Sequence, residues 1–353
     1  LKSGRRDIVA KRNKQKKYTF LIIVAIAVVA VNFIKLPYYL NLPGDAYELS
    51  PIVEVVGGDD ANGKFMMTTV GVSRGQINPY TYVWSKVAPH HELVPAEKMR
   101  VEGESDKEYY YRQLHAMDMS QNVAIAVAYE KANIPVEYKY NGVFVMGLVK
   151  GMDAENKLKI GDRIYEVNGK QLNSSEEFIE IVGQMKQGDE VNVTLERESK
   201  VLQESIIITS FPNQPEKVGV GISLVTDRDI LVEPEVKIDA SSVGGPSAGL
   251  MFTLEIYNQL TEGDLTKGYN IAGTGTIDYN GVVGPIGGVQ HKIVAADKAG
   301  ADYFLAPNEQ SHAKSNYQDA LRAAEEIDTN MKIIPIDTLE DAINFLHSLE
   351  SKK

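Results

Sequence analysis

Apolar and polar positions along this chain change rhythm several times. From Tyr18 to Ile34 (YTFLIIVAIAVVAVNFI) there is no charge and hardly a polar side chain. That run sits at the short end of the ~17–25 residues a helix needs to cross a bilayer. Residues 48–57 and 64–72 are rich in Val, Thr and Met and predict a strand pair around the turn 58–63, with Asn62-Gly63 supplying positive φ. Ser105-Asp-Lys-Glu108 has the spacing of a capping box and predicts a helix to about Ala132, ended by Asn133 and Pro135. Between 136 and 212 the pattern turns to strands: 143–149, a turn–strand–turn at 161–169, 190–196 and 202–209, with a helix from Ser174 to about Met185. From 217 to 352 strands and helices alternate. Strands are predicted at 219–224, 229–239, 268–277, 302–306 and 331–335, and helices at 247–260, 288–299, 314–327 and 338–349.

Charge changes the reading of the N-terminal run. Residues 1–17 hold eight Lys or Arg and one acid, Asp7, so this tail carries +7 and leaves −18 on the rest of a chain whose total is −11. A basic tail on an acidic body suits nucleic acid, but an apolar run directly after it suits a membrane better. The positive-inside rule then puts the tail (1–17) in the cytoplasm, makes 18–36 a single transmembrane helix and leaves everything beyond Lys35 outside. The rival, a cleaved signal peptide, has an overlong apolar region here and no clean A-x-A site, since Ala27-Val-Val-Ala30 is spaced wrongly. Charged residues are 24% and hydrophobic ones 43%, so the bulk of the chain is globular. There is no cysteine, which excludes disulfides, thiolate metal sites and cysteine nucleophiles.

The candidate chemistry lies in two glycine-rich segments. Gly244-Gly-Pro-Ser247-Ala-Gly249 follows the extended run 235–239 and precedes an apolar helix. That places Ser247 at a helix N-terminus among small residues, with the backbone of Gly245 and Pro246 as the expected oxyanion-binding segment. Taken alone, the serine reads equally well as an ordinary N-cap. Ser241 and Ser242 are weaker nucleophile candidates. A nucleophilic serine needs a base, and none of the six histidines lies in a triad-like motif. The second segment, Gly284-Pro-Ile-Gly-Gly-Val-Gln-His-Lys292, supplies one. A lysine on the first turn of a helix, among small apolar neighbours, meets an unfavourable dipole and desolvation; both lower its pKa toward that of a working base. Lys298, on the same helix, is the ordinary surface lysine for comparison.

Together the two segments, 45 residues apart from Ser247 to Lys292, resemble the signatures of the Lon-type proteolytic domain, a Ser–Lys dyad peptidase. The resemblance implies that Thr274, in Gly-Thr-Gly, hydrogen-bonds the catalytic lysine. It also suggests a place near the dyad for Asp239, which reads equally well as a structural residue at a strand end. A second resemblance covers 136–212. Lys159-Ile-Gly-Asp162-Arg-Ile-Tyr-Glu-Val-Asn168-Gly169 looks like the most characteristic stretch of a PDZ domain, a fold that binds extended peptides by strand addition. Its carboxylate-binding loop is expected near Asn141, Gly142 and Val143, although that stretch departs from the usual Gly-Leu-Gly-Phe pattern. Such a domain either captures substrate or serves as a spacer or regulator.

Anchor, PDZ and Lon-type parts in one chain resemble the SepM/YlbL group of membrane-anchored peptidases of Gram-positive bacteria. The fold class implied is α+β: a transmembrane helix, then a Lon-type α/β domain built from 48–132 and 217–352, with a PDZ domain (136–212, a partly open β-barrel) inserted. The activity implied is ATP-independent serine endopeptidase cleavage, outside the cell, of secreted peptides such as quorum-sensing pheromone precursors or of unfolded proteins. The competing reading is a non-catalytic membrane-anchored PDZ scaffold or adaptor. No cofactor, metal, nucleotide or nucleic-acid partner is expected. Gly58-Asp-Asp-Ala-Asn-Gly-Lys64 mimics a P-loop, but Phe65 stands where Ser or Thr would hold Mg²⁺. His90-His91-Glu92 lacks the spacing of a metal site.

Overall fold

The computed structural model describes residues 18–352 apart from 24, 27, 28, 60, 101–103, 241 and 242. The basic tail 1–17 and the alternative serines Ser241 and Ser242 therefore lie outside the described residues, as do three positions of the predicted span 18–36. Residues 18–23, 25, 26 and 29–32 are helical. Among the described residues no helix is long and apolar enough to cross a membrane.

The chain divides into two compact units, Leu1–Pro43 with Val70–Glu102 and Gly44–Thr69 with Gly103–Lys353. In the first, the N-terminal part of strand Tyr38–Glu48 pairs antiparallel with Glu92–Pro95, and Asn78 caps a short helix, Pro79–Ser85.

The second unit holds two bodies of different architecture. In one, strands Asn270–Gly273, Tyr303–Pro307 and Lys332–Ile336 run parallel, and residues 64–67 pair parallel with 270–273. Helices flank these strands. The long helix Asp106–Lys131 opens with the predicted capping box, both of whose hydrogen bonds are present. It packs against helix Gly249–Leu260 in a core that includes Phe65, Met67, Met117, Tyr129, Phe252 and Leu254. The fully buried members of that core come from residues 49–129 and 240–346, with Ile134, Val136, Val232, Val236 and Ile238 packed against it from the two ends of the interval between. A separate cluster fills the interval, with Val143, Ile164, Val167, Val193, Leu195 and Ile206 buried together. Its sheet runs in the order Ile222–Leu231, Glu137–Leu148, Arg163–Val167, Glu190–Arg197, Lys200–Ile207.

Several expectations are corrected. The predicted hairpin of 48–57 with 64–72 forms only at its start: Lys64–Val72 lies beside Tyr38–Glu48 and Leu49 N–H donates to the Phe65 carbonyl, whereas Val53–Val55 pairs with Val236–Ile238, and 64–67 also pairs with 270–273. The Asn62 and Gly63 N–H groups donate to Asp264 and Thr266 side chains, so that turn is held from 200 residues away rather than by its own geometry. Ile222–Leu231 is one continuous strand, where the pattern suggested a break at 225–228. It pairs with Glu137–Leu148 and joins the inserted sheet, which thus extends past the boundary expected at 212. The described sheet has Ile222–Leu231 and Lys200–Ile207 as its two ends.

Candidate active site

The carboxyl ends of the parallel strands Lys64–Val72 and Asn270–Gly273 meet the starts of two helices, the usual location of sites in open α/β sheets. Helix Val289–Lys298 leaves Gly288, which is in the left-handed region at φ 70°. Val289, Ile293 and Ala296 anchor its inner face beside Met66, Ala272 and Phe304. Lys292 lies on that same face and is 2% exposed.

Among the described residues, the amine end of Lys292 meets only neutral oxygens. Nζ lies 2.7 Å from Ser247 Oγ, 2.9 Å from Thr274 Oγ1 and 3.0 Å from the Thr68 carbonyl. Thr274 Oγ1 donates its own proton to the Ser247 carbonyl at 3.0 Å. For a neutral lysine this fixes every proton. Thr68 O only accepts, and Thr274 has already spent its proton, so the two amine hydrogens go there. The remaining lone pair faces Ser247, whose O–H must donate to it. Burial without a counter-charge brings the Lys292 pKa down from 10.5 to about 7. Desolvation is the cause; the helix dipole, invoked from sequence, is not needed.

Ser247 itself precedes the helix. The helix starts at Gly249, its N-cap is Ala248, and no side chain caps it. The N-cap role weighed for Ser247 is thus absent, and Pro246 lies in the bend before the helix rather than in its first turn. The long helix holds this bend: Gly245 N–H donates to the Gln113 carbonyl at 2.8 Å, and Ser120 Oγ donates to the Pro246 carbonyl at 3.0 Å. Gly245 has φ 90°, which only glycine adopts cheaply. These contacts correct the expected oxyanion segment. The Gly245 N–H is occupied and Pro246 has none. The neighbouring Ser247 and Ala248 N–H groups find no acceptor among the described residues.

Asp239 is exposed just after strand Val236–Ile238, its N–H bonded to the Ile52 carbonyl. It is not among the partners of Lys292. Asn141, Gly142 and Val143 are not a loop at all. They lie within strand Glu137–Leu148, where Gly142 and Val143 pair with Asp227 and Thr226, and Val143 also pairs with Ile164. Gly142, at φ 112°, marks a bulge and lies so close to the Ile164 carbonyl that no Cβ fits. An extended peptide has no edge to join there. Of the two end strands, Ile222–Leu231 lies beside helix Ser175–Gly183, whose Ser175 N–H donates to Thr226 Oγ1 at 3.0 Å. The glycine–apolar alternation sought at 140–143 stands instead in Gly219-Val-Gly-Ile222, leading into that strand. The sequence reading missed three further contributors: the Thr68 carbonyl, the Gln113 carbonyl and Ser120. The two carbonyls have no side-chain signature.

A buried lysine hydrogen-bonded to a serine at the end of a parallel sheet defines a serine peptidase of the Ser–Lys type. Residues 160–348 match the Lon protease (S16) C-terminal proteolytic domain, and the chain belongs to that family. Residues 121–197 match the PDZ domain, so the fold is mixed α+β with a PDZ and a Lon-type peptidase part. The peroxisomal Lon protease homolog 2 of Caenorhabditis elegans is 32% identical over 151 residues, covering 43% of this chain and 18% of that protein. The Lon protease of Campylobacter concisus is 38% identical over 110 residues, covering 31% and 12%. This chain thus spans less than a fifth of the length of these relatives. The solved PDZ domain of the SdrC-like protein from Listeria monocytogenes is 34% identical, covering 25% of this chain and 90% of that one, with a TM-score of 0.23.

Proposed function

We propose that this chain is a membrane-anchored endopeptidase that cleaves peptides by acyl transfer at Ser247, with Lys292 as general base. The observation that carries the reading is the 2.7 Å contact between Ser247 Oγ and a lysine with no counter-ion and a pKa of about 7. Neutral Lys292 takes the Ser247 proton as Oγ attacks the scissile carbonyl. Ser247 and Ala248 N–H groups face the developing oxyanion. Lys292 then protonates the leaving amine, and the acyl-enzyme ester remains. A water gives its proton to Lys292, attacks the ester and releases the acid, while Lys292 returns the proton to Ser247. Thr274 and the Thr68 carbonyl keep the amine aimed throughout.

The finer reading is that of the SepM/YlbL-like group, with 18–36 as the span, the dyad outside the cell and secreted peptides as substrates. The basic tail before an apolar run supports it. Residues 1–353 contain no P-loop, which supports cleavage without nucleotide by this chain. Substrates that reach such a site are peptides or chains already unfolded, presented extended along the Ile222–Leu231 edge. Peptide cleavage by the full chain in lipid nanodiscs tests the reading against Ser247→Ala and Lys292→Ala. Cleavage by the wild type alone is expected. Equal cleavage by all three rejects the dyad, and no cleavage by any favours the scaffold.

A further inference from the structure

Helix Pro79–Ser85 wears its apolar face outward. Tyr80, Val83, Trp84 and Val87 follow one-face helical spacing through the helix and the turn after it, yet they are 44%, 67%, 63% and 74% exposed. The inward face is already satisfied: Tyr82 packs on Tyr38 with ring centroids 5.7 Å apart, and Ser85 is buried. A contiguous exposed patch of this kind marks a docking surface.

Two observations identify what it docks on. Charge is the first: residues 70–91 contain Arg74 and Lys86, both exposed, and no acid, in a chain of net charge −11. The second is continuity. Leu36 N–H donates to the Ile77 carbonyl at 2.8 Å, and Asn78 bonds Asn32. The base of the helix is therefore stapled to the end of the apolar run, where Ile26, Val29, Phe33 and Ile34 are themselves half or more exposed. Tyrosine and tryptophan beside basic residues at the end of an apolar segment are the composition of a membrane interface.

We propose that Pro79–Ser85 and its following turn are a lipid-docking element, lying in the headgroup region of an anionic bilayer with Val83, Trp84 and Val87 inserted. The proposal rests on the reading of 18–36 as a bilayer span, which brings this surface to the membrane. It makes the anchor a two-point attachment that fixes the orientation of residues 70–100 at the membrane.

Trp84 is the single tryptophan of the chain, so its fluorescence reports this element alone. The full chain is reconstituted in nanodiscs of phosphatidylcholine, with and without phosphatidylglycerol. Brominated acyl chains should quench Trp84 and acrylamide should not, most clearly with phosphatidylglycerol present. Val83→Ser/Val87→Ser should reverse both effects while the chain stays on the disc. Arg74→Gln/Lys86→Gln should remove the dependence on phosphatidylglycerol. Trp84 open to acrylamide and untouched by brominated lipid, in chain retained on the disc, overturns the proposal. So does protection that depends on protein concentration and not on lipid, which assigns the patch to a second copy. Failure of the chain to co-purify with discs rejects the span; unchanged Trp84 emission on adding phosphatidylglycerol vesicles to that soluble chain then rejects the docking as well. Peptide cleavage on the same samples reports the dyad separately.

Discussion

Asp162 in the PDZ part and Lys292 in the peptidase part are both buried charge-bearing side chains, and their surroundings treat them in opposite ways. Asp162 is 1% exposed and Lys292 2%. Arg197 grips Asp162 with two bonds, Nε to Oδ1 at 2.7 Å and Nη2 to Oδ2 at 2.6 Å, and the Lys159 N–H adds a third at 2.8 Å. Both oxygens of the carboxylate accept from donors, and the Arg197 pKa rises because Asp162 holds its protons. Lys292 has no anion to answer it, so it sheds its proton near neutrality instead. A buried charge with its partner is a structural clamp; a buried base without one is available for chemistry.

Apolar replacement on each side breaks that comparison most sharply. Lys292→Met should cut peptide cleavage by roughly 10²–10⁴-fold, the range for a lost general base. It should also raise the melting temperature. The folded-state pKa is depressed, so between about 7 and 10.5 only the unfolded chain holds the lysine proton. Wild-type stability therefore falls as pH drops from 10.5 to about 7, and the Met variant should lose this slope. Thermal unfolding at several pH values reads both effects. Arg197→Met should do the reverse. It strands Asp162 and should destabilise the PDZ part by about 3 kcal/mol, while purified folded protein keeps the catalytic pH profile. Denaturant titration and a pH–rate curve separate the two.

The next effect is smaller and continuous. The rate should rise with pH through about 7 as Lys292 becomes neutral, falling about tenfold per unit below that point. An acid limb that persists unchanged in Arg197→Met and shifts in a variant touching Lys292 would tie it to the lysine. Smallest is Thr274→Val, which keeps the shape and removes one amine partner. A lost hydrogen bond of ~1 kcal/mol predicts a roughly fivefold lower kcat with little change in KM. A KM effect of the same size would mean that Thr274 meets substrate rather than aiming Lys292.

What could be seen in the sequence was whatever chemistry travels with local spacing. The capping box at Ser105, the glycines before Ser247 and the lysine in an apolar helix start are all short-range features, and each has its counterpart in the structure. Asp162 was visible only as part of a PDZ-like run; its partner Arg197 lies 35 residues on and carries no motif. The misreadings share one cause. Val53–Val55 and Lys64–Val72 look like a hairpin because they are adjacent, but Val53–Val55 pairs with 236–238, and Lys64–Val72 lies between Tyr38–Glu48 and Asn270–Gly273. The peptide-binding loop was expected at 140–143 because that stretch begins the PDZ-like segment, whereas the end strand Ile222–Leu231 comes after it.

By itself, then, the sequence determined which residues have the chemistry: a serine among glycines and a lysine where a lysine is out of place. Tertiary structure alone decided that the serine and lysine touch, which backbone groups orient them and which N–H groups remain for an oxyanion. The reason is physical. Side-chain identity is written in the chain one residue at a time, but a depressed pKa comes from burial, and the helix that carries Lys292 is packed by Val289, Ile293 and Ala296 into a core with Met66, Ala272 and Phe304 from three different strands.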